Sequence, residues 1–126
     1  MLQNFFALLL LTSLHAVAAT PADLLAGYIA QAGQPANISK GEAFFKASHG
    51  QEWQCTSCHG KSPMTGGHHA STDKAIEPLA PGANPKRFTD SAKVEKWFRR
   101  NCKDVLAREC TAAEKADVLA WLISVR

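Results

Sequence analysis

The stretch Cys55-Thr56-Ser57-Cys58-His59-Gly60, CTSCHG, decides how the rest of the chain is read. Two thiols three positions apart can add to the two vinyl groups of a porphyrin while the adjacent imidazole turns onto the iron, so Cys-x-x-Cys-His reads as the attachment point of a c-type haem. Cys55 and Cys58 are then the expected covalent anchors, and His59 the expected ligand on one face of the iron. A zinc site fits less well, because the other two cysteines, Cys102 and Cys110, lack the close Cys-x-x-Cys spacing of a zinc knuckle. A thioredoxin-like dithiol needs a βαβ setting that the flanking sequence does not offer.

Upstream, Thr20-Pro21-Ala22-Asp23 reads as a helix start, with a hydroxyl at the cap, proline in the first turn and an acid near unsatisfied N–H groups. Leu24, Leu25, Tyr28 and Ile29 fall on one face, and Gly33 to Pro35 ends the segment. Ser39-Lys40-Gly41-Glu42 has the form of a capping box opening a second helix that carries Phe44 and Phe45. Downstream, residues 60 to 87 hold Gly66-Gly67, Pro78, Pro81, Gly82 and Pro85, too many turn formers for long regular structure. A haem explains so long a loop, since the segment can wrap a porphyrin edge. Thr89-Asp90 then caps a helix in which Val94, Trp97, Phe98, Asn101 and Val105 follow the spacing of one buried face. Thr111-Ala112-Ala113-Glu114 is another capping box, leading into a last helix with Leu119, Trp121, Leu122 and Ile123. No strand alternation is visible, so the expected fold is all-α, a small helical domain wrapped around one covalent haem.

The chain has 126 residues, 46% hydrophobic and 20% charged, with a formal net charge of +3, which is ordinary material for one domain. Residues 1–19 contain no Asp, Glu, Lys or Arg and place a short apolar run, Phe5 to Leu11, before Val17-Ala18-Ala19. That reads as a secretory signal, leaving residues 20–126 as the haem domain with no membrane-spanning segment after its removal. The basic excess is not a nucleic-acid footprint, because Lys93, Lys96, Arg99, Arg100 and Lys103 alternate with apolar positions as a solvated helix face does. It suits an acidic redox partner. Export places the cysteines where disulfides persist and where bacterial haem attachment occurs, with Cys102 and Cys110 left to bridge. In one continuous helix their Cα atoms would stand ~12 Å apart, beyond the ~7 Å a disulfide spans. The helix is therefore expected to break between them.

The far side of the iron is less plainly written. Met64 follows His59 so closely that an extended link of ~17 Å leaves little chain to round the macrocycle, and it reads as a loop or packing residue. His68 and His69 have the reach, in a polar loop where exposed histidine is ordinary; His49 reads as surface. Asn101 sits on the expected apolar face, where an unpartnered amide costs roughly 1 to 3 kcal/mol. Its pattern alone is equally served by a hydrogen bond to a propionate or a carbonyl and by ligation of iron.

The Gly-x-x-x-Phe core of residues 41–45, CTSCHG and the terminal ADVLAWL resemble class I c-type cytochromes. The longer run IEPLAPGANPKRFTDSAKVEKWFRRNCKDVLARECTAAEKADVLAWL, residues 76–122, is more specifically similar to the sphaeroides haem protein family. The resemblance implies an exported, periplasmic, high-spin monohaem cytochrome in which Asn101 is the distal ligand beside a Cys102–Cys110 disulfide. It implies that the amide leaves the iron on reduction so that oxygen or nitric oxide binds, with Trp97 and Phe98 shaping the distal wall. It further implies a di-haem cytochrome c, linked to a membrane cytochrome b, as electron donor. The competing expectation is a six-coordinate electron carrier that binds no small molecule. No acid or histidine is placed beside the distal face by sequence, so no enzymatic turnover is assigned.

Overall fold

A computed structural model describes residues 18–126. Apart from Ala18 and Ala19, the expected leader of residues 1–19 lies outside the described residues. Among the described residues five helices follow in order, α1 (Pro21–Ala32), α2 (Ile38–Lys46), α3 (Cys55–His59), α4 (Ser91–Leu106) and α5 (Ala112–Ser124). Between α3 and α4 lies a minimal antiparallel ladder, β1 (Gly67–His68) against β2 (Ala75–Ile76), with Gly67 opposite Ile76 and His68 opposite Ala75.

The start of α1 is as expected. Thr20 Oγ1 accepts from the Asp23 N–H at 3.1 Å, and Asp23 Oδ2 accepts from the Thr20 N–H at 2.9 Å, so two orphan donors are satisfied reciprocally. Gly33 ends the helix at φ 67°, a left-handed conformation that suits glycine. The start of α2 differs from expectation. Its cap is Asn37 rather than Ser39, with Asn37 Oδ1 accepting from the Lys40 N–H at 2.9 Å, while Glu42 pairs with Lys46. The reason is tertiary: the buried Asp117 of α5 accepts the Asn37 N–H at 2.6 Å, which holds Asn37 in an extended conformation outside the helix.

α5 is the spine. Every residue from Ala116 to Leu122 is buried, because α2 and α1 pack across it from different sides. At the α2 crossing, Gly41 lies so close that a Cβ there would stand 1.9 Å from the Asp117 carbonyl oxygen, and only glycine permits that approach. Phe45, Val118, Trp121 and Leu122 fill this crossing, with Phe45 and Trp121 ring centroids 5.0 Å apart. Tyr28, Ala116 and Leu119 form a second cluster under α1, joined by Leu24, Ile29 and Phe98. Apolar burial of this kind stabilises by roughly 1.5 to 3 kcal/mol per large side chain.

The loop from Gly60 to Asp90 is less formless than its composition suggested. The Pro63 carbonyl accepts from the N–H groups of Leu79 and Ala80 at 3.0 and 2.9 Å, stitching the loop's two ends together. The hairpin turns at Asp73, φ 55°, a conformation Asp tolerates.

Candidate haem site

The Cys-x-x-Cys-His motif is itself a turn of helix, which the sequence reading did not anticipate. Gln54 precedes it in an extended conformation, its N–H donating to Ser57 Oγ at 3.0 Å and its carbonyl accepting from the Ser57 N–H at 2.9 Å. Helical spacing of three and four then puts Cys55, Cys58 and His59 on one side. Gly60 closes the turn at φ 71°.

Neither Cys55 nor Cys58 is in a disulfide, and both are half-buried. Burial pushes the Cys55 thiol up to about 11. Cys58 Sγ accepts from the Ala70 N–H at 3.3 Å, a contact made by the hairpin end. That hairpin lies against the motif because Gly67 has no side chain: a Cβ there would meet the Cys58 carbonyl oxygen at 1.9 Å. The Gly66-Gly67 pair thus does more than turn the chain, and no local sequence signal distinguishes the two roles.

His59 stands at the end of the core, its ring centroid 6.1 Å from that of Phe45. Its Nδ1 is shielded from solvent and has no hydrogen-bond partner. Burial, and after it the charge of Arg87, push the imidazole down to about 4, so at neutral pH it is uncharged, the form in which imidazole donates to a metal. Arg87 is half-buried and pinned by two carbonyls, donating from Nε to Pro78 at 2.9 Å and from Nη2 to Glu77 at 2.8 Å. Sequence reasoning missed it, since its relation to His59 is purely tertiary. Two unbridged thiols and a neutral imidazole with an orphaned, shielded nitrogen, all on one turn, fit the donor set of a covalent haem c.

The structure divides the other expected residues. On α4, capped by Asp90 accepting from the Lys93 N–H at 3.0 Å, the expected single buried face is two neighbouring stripes. Cys102 and Val105 are buried and Phe98 is half-buried, whereas Trp97 is 45% exposed and Asn101 is exposed. The disulfide explains the choice: Cys102 is joined to Cys110 at a Cα separation of 5.6 Å, so its stripe faces the core and the Trp97–Asn101 stripe turns outward. Phe98 meets the Tyr28 ring edge-on at 5.8 Å, placing it in the α1–α5 seam rather than beside Trp97. The Arg100 guanidinium lies over the Trp97 ring at 5.6 Å from its centroid.

The expected helix break is present. Ala107 ends α4 at φ 57°, and Thr111 and Glu114 form the expected reciprocal box, 3.2 and 2.8 Å. Arg108 adds a two-pronged contact to Glu114 at 2.7 and 2.9 Å. Among the histidines, His68 is exposed. His69 lies edge-on to Trp53, its Nδ1 within 3.3 Å of the Ser71 N–H. His49 is half-buried rather than on the surface, its ring tilted against Phe44 at a centroid distance of 4.5 Å and hydrogen-bonded to the Phe44 carbonyl at 2.9 Å. Met64 lies half-buried beside Gly82, as a packing residue.

Residues 31–122 match the family described as a domain of unknown function, DUF1924. The chain is 50% identical over 107 residues to the cytochrome c-type protein SHP of Cereibacter sphaeroides, covering 82% of each. It is 42% identical over 92 residues to cytochrome c'' of Methylophilus methylotrophus, covering 70% of this chain and 64% of that one. Among solved structures, oxidised SHP, described as an oxygen-binding cytochrome c, superposes with a TM-score of 0.81 at 49% identity over 86% of this chain and 99% of that one. Oxidised cytochrome c'' gives 0.72 at 37% identity over 84% and 94%. A solution structure of cytochrome c'' that addresses haem-ligand detachment gives 0.72 at 35% identity over 83% and 93%. On a shared fold and on 50% identity over 107 residues, this chain belongs to the sphaeroides haem protein family of c-type cytochromes.

Proposed function

We propose that this chain is an exported, periplasmic, high-spin monohaem cytochrome that binds a diatomic gas, oxygen or nitric oxide, in its reduced form. When bound, a haem c would supply a one-electron couple and an iron able to bind a small molecule. Cys55 and Cys58 would hold the porphyrin as thioethers and the neutral His59 imidazole would ligate the iron. Asn101 would supply the opposite ligand. A neutral amide oxygen is a hard, weak donor that suits ferric charge and holds ferrous iron poorly, so Asn101 would be held weakly by reduced iron and could give way to a gas. Trp97, one turn earlier, covers the approach, while Phe98 anchors the helix from its other side. The electron comes from another cytochrome, which family likeness suggests is a di-haem cytochrome c linked to a membrane cytochrome b.

The observation that carries this reading is the outward turn of Asn101. An amide buried on an apolar face would need a partner in the core; exposed on α4, it has no desolvation cost to offset and is free to serve a ligand. The oxygen binding stated of SHP and the ligand detachment stated of cytochrome c'' support the same behaviour here. Replacing Asn101→Ala tests it: the ferric absorption spectrum should move toward a water-ligated or five-coordinate form. An unaltered spectrum would remove Asn101 from the iron and turn attention to His68 or His69.

A further inference from the structure

Beyond apolar packing, two specific links hold the helix that carries Asn101, and only one of them is the disulfide. The other is a polar cluster near its start. Glu95 Oε1 accepts from the Tyr28 hydroxyl of α1 at 2.5 Å, and Glu95 Oε2 accepts from Lys115 Nζ of α5 at 2.8 Å. The same ammonium lies over the rings of Tyr28 and Phe98, 5.5 and 5.8 Å from their centroids. Tyr28 is only 3% exposed, and burial followed by the Glu95 carboxylate push its hydroxyl above the ordinary value, so it remains a donor. One carboxylate on α4 therefore joins it to α1 and α5.

Helical geometry says what this join controls. At about 100° per residue, Glu95, Phe98, Cys102 and Val105 fall within about 80° of arc, and Asn101 lies roughly 40° beyond its edge. Asn101 is about 9 Å along the axis from Glu95, next to the disulfide. The Cys102 disulfide fixes one point, and the packing of Phe98 and Val105, being non-directional, favours burial of that stripe without setting the angle of roll. With side chains reaching about 5 to 6 Å from the axis, a roll of about 20° carries the Asn101 amide about 2 Å. Functional geometry tolerates displacements of about 0.5 Å. Something must hold the roll, and the Glu95 join is placed to do it.

We infer that Glu95 is a positioning residue for the gate: with Tyr28 and Lys115 it fixes the rotation of α4 and thereby the reach of Asn101. This rests on the reading of Asn101 as the distal ligand. It assigns to α1 and α5, which pack on the face of α4 next to that ligand, a share in deciding how readily the iron opens.

The test is the rate at which cyanide, a small ligand of ferric haem, associates with the purified holoprotein in stopped flow. The proteins compared are the unsubstituted chain, Glu95→Gln, Tyr28→Phe, Asn101→Ala, and the doubles Glu95→Gln/Asn101→Ala and Tyr28→Phe/Asn101→Ala. Glu95→Gln and Tyr28→Phe should each accelerate association roughly fivefold, the low end of coupling between sites. Asn101→Ala should accelerate it further, and Glu95→Gln should then add nothing, because its effect passes through Asn101. An Asn101→Ala rate equal to that of the unsubstituted chain overturns the ligand reading and this inference with it. Acceleration by Asn101→Ala but not by Glu95→Gln or Tyr28→Phe overturns the inference alone. Equal acceleration by Glu95→Gln in both backgrounds also overturns it, since general loosening would act without Asn101. Where Glu95→Gln fails to fold by circular dichroism, Tyr28→Phe carries the same cycle.

Discussion

Replacing Gly41→Ala asks whether the α2–α5 crossing holds the haem-bearing fold together. Alanine is the better helix former by about 0.8 to 1 kcal/mol, so helix propensity alone predicts stabilisation. The crossing predicts the opposite. The new Cβ would stand 1.9 Å from the Asp117 carbonyl oxygen, 2.4 Å from its carbon and 2.9 Å from the Val118 nitrogen, all of them backbone atoms that cannot rotate away. Restoring an ordinary contact requires the helices to part by about 1.5 Å, and a gap of even 1 Å forfeits a quarter to a half of the dispersion energy across it. Phe45, Val118, Trp121 and Leu122 meet at this seam. At roughly 1.5 to 3 kcal/mol for each, losing a quarter of their packing costs about 2 kcal/mol, and overpacking strain adds about 1 to 3. The net expectation is a loss of about 2 to 4 kcal/mol after the helix gain. Guanidinium unfolding of the holoprotein, followed by far-ultraviolet circular dichroism, reads it. Gly27→Ala is the matched control, because nothing lies within 4 Å of a Cβ there, and it should gain about 0.5 to 1 kcal/mol. A midpoint for Gly41→Ala equal to or above that of the unsubstituted chain would refute the crossing.

Exchanging both Cys55 and Cys58 for alanine should abolish haem that survives denaturation, detected by peroxidase staining on a denaturing gel; stain retained at this chain's mass would contradict thioether attachment. Replacing Cys102 and Cys110 with alanine should lower holoprotein stability by about 2 to 3 kcal/mol in the chain-entropy account of a short loop, read by guanidinium unfolding. Glu114 is held below its ordinary value, first by hydrogen bonds from Arg108, with burial opposing and Thr111 assisting. A depressed carboxylate contributes stability above its unfolded value of about 4.3, and that contribution is lost as pH falls through the folded value. Glu114→Gln should therefore be less stable than the unsubstituted chain at pH 7 and indistinguishable from it at pH 2; a difference that persists at pH 2 would refute the linkage.

Much of this was legible because it is local. Thr20, Asp90 and Thr111 cap helices with their own neighbours, and CTSCH carries its chemistry in five consecutive residues. What the sequence did not disclose is set by contacts between distant segments. Asn37 displaces Ser39 as a cap because Asp117, eighty residues away in sequence, takes its N–H. α4 carries apolar side chains on two adjacent stripes, and periodicity cannot say which one packs. The disulfide partner Cys110 selects the Cys102 stripe and turns Trp97 and Asn101 outward. Arg87 and the Glu95 join have no local signature, because a lone arginine in a loop and a glutamate on a charged helix look solvated until their partners are known.

The measurement that reaches the central claim most directly is the absorption spectrum of the purified holoprotein, oxidised and reduced, with and without carbon monoxide. The account predicts broad high-spin bands in the reduced state that shift when the gas is added, since Asn101 has withdrawn. A sharp low-spin reduced spectrum indifferent to carbon monoxide would mean a permanently ligated iron, and the protein would be an electron carrier instead.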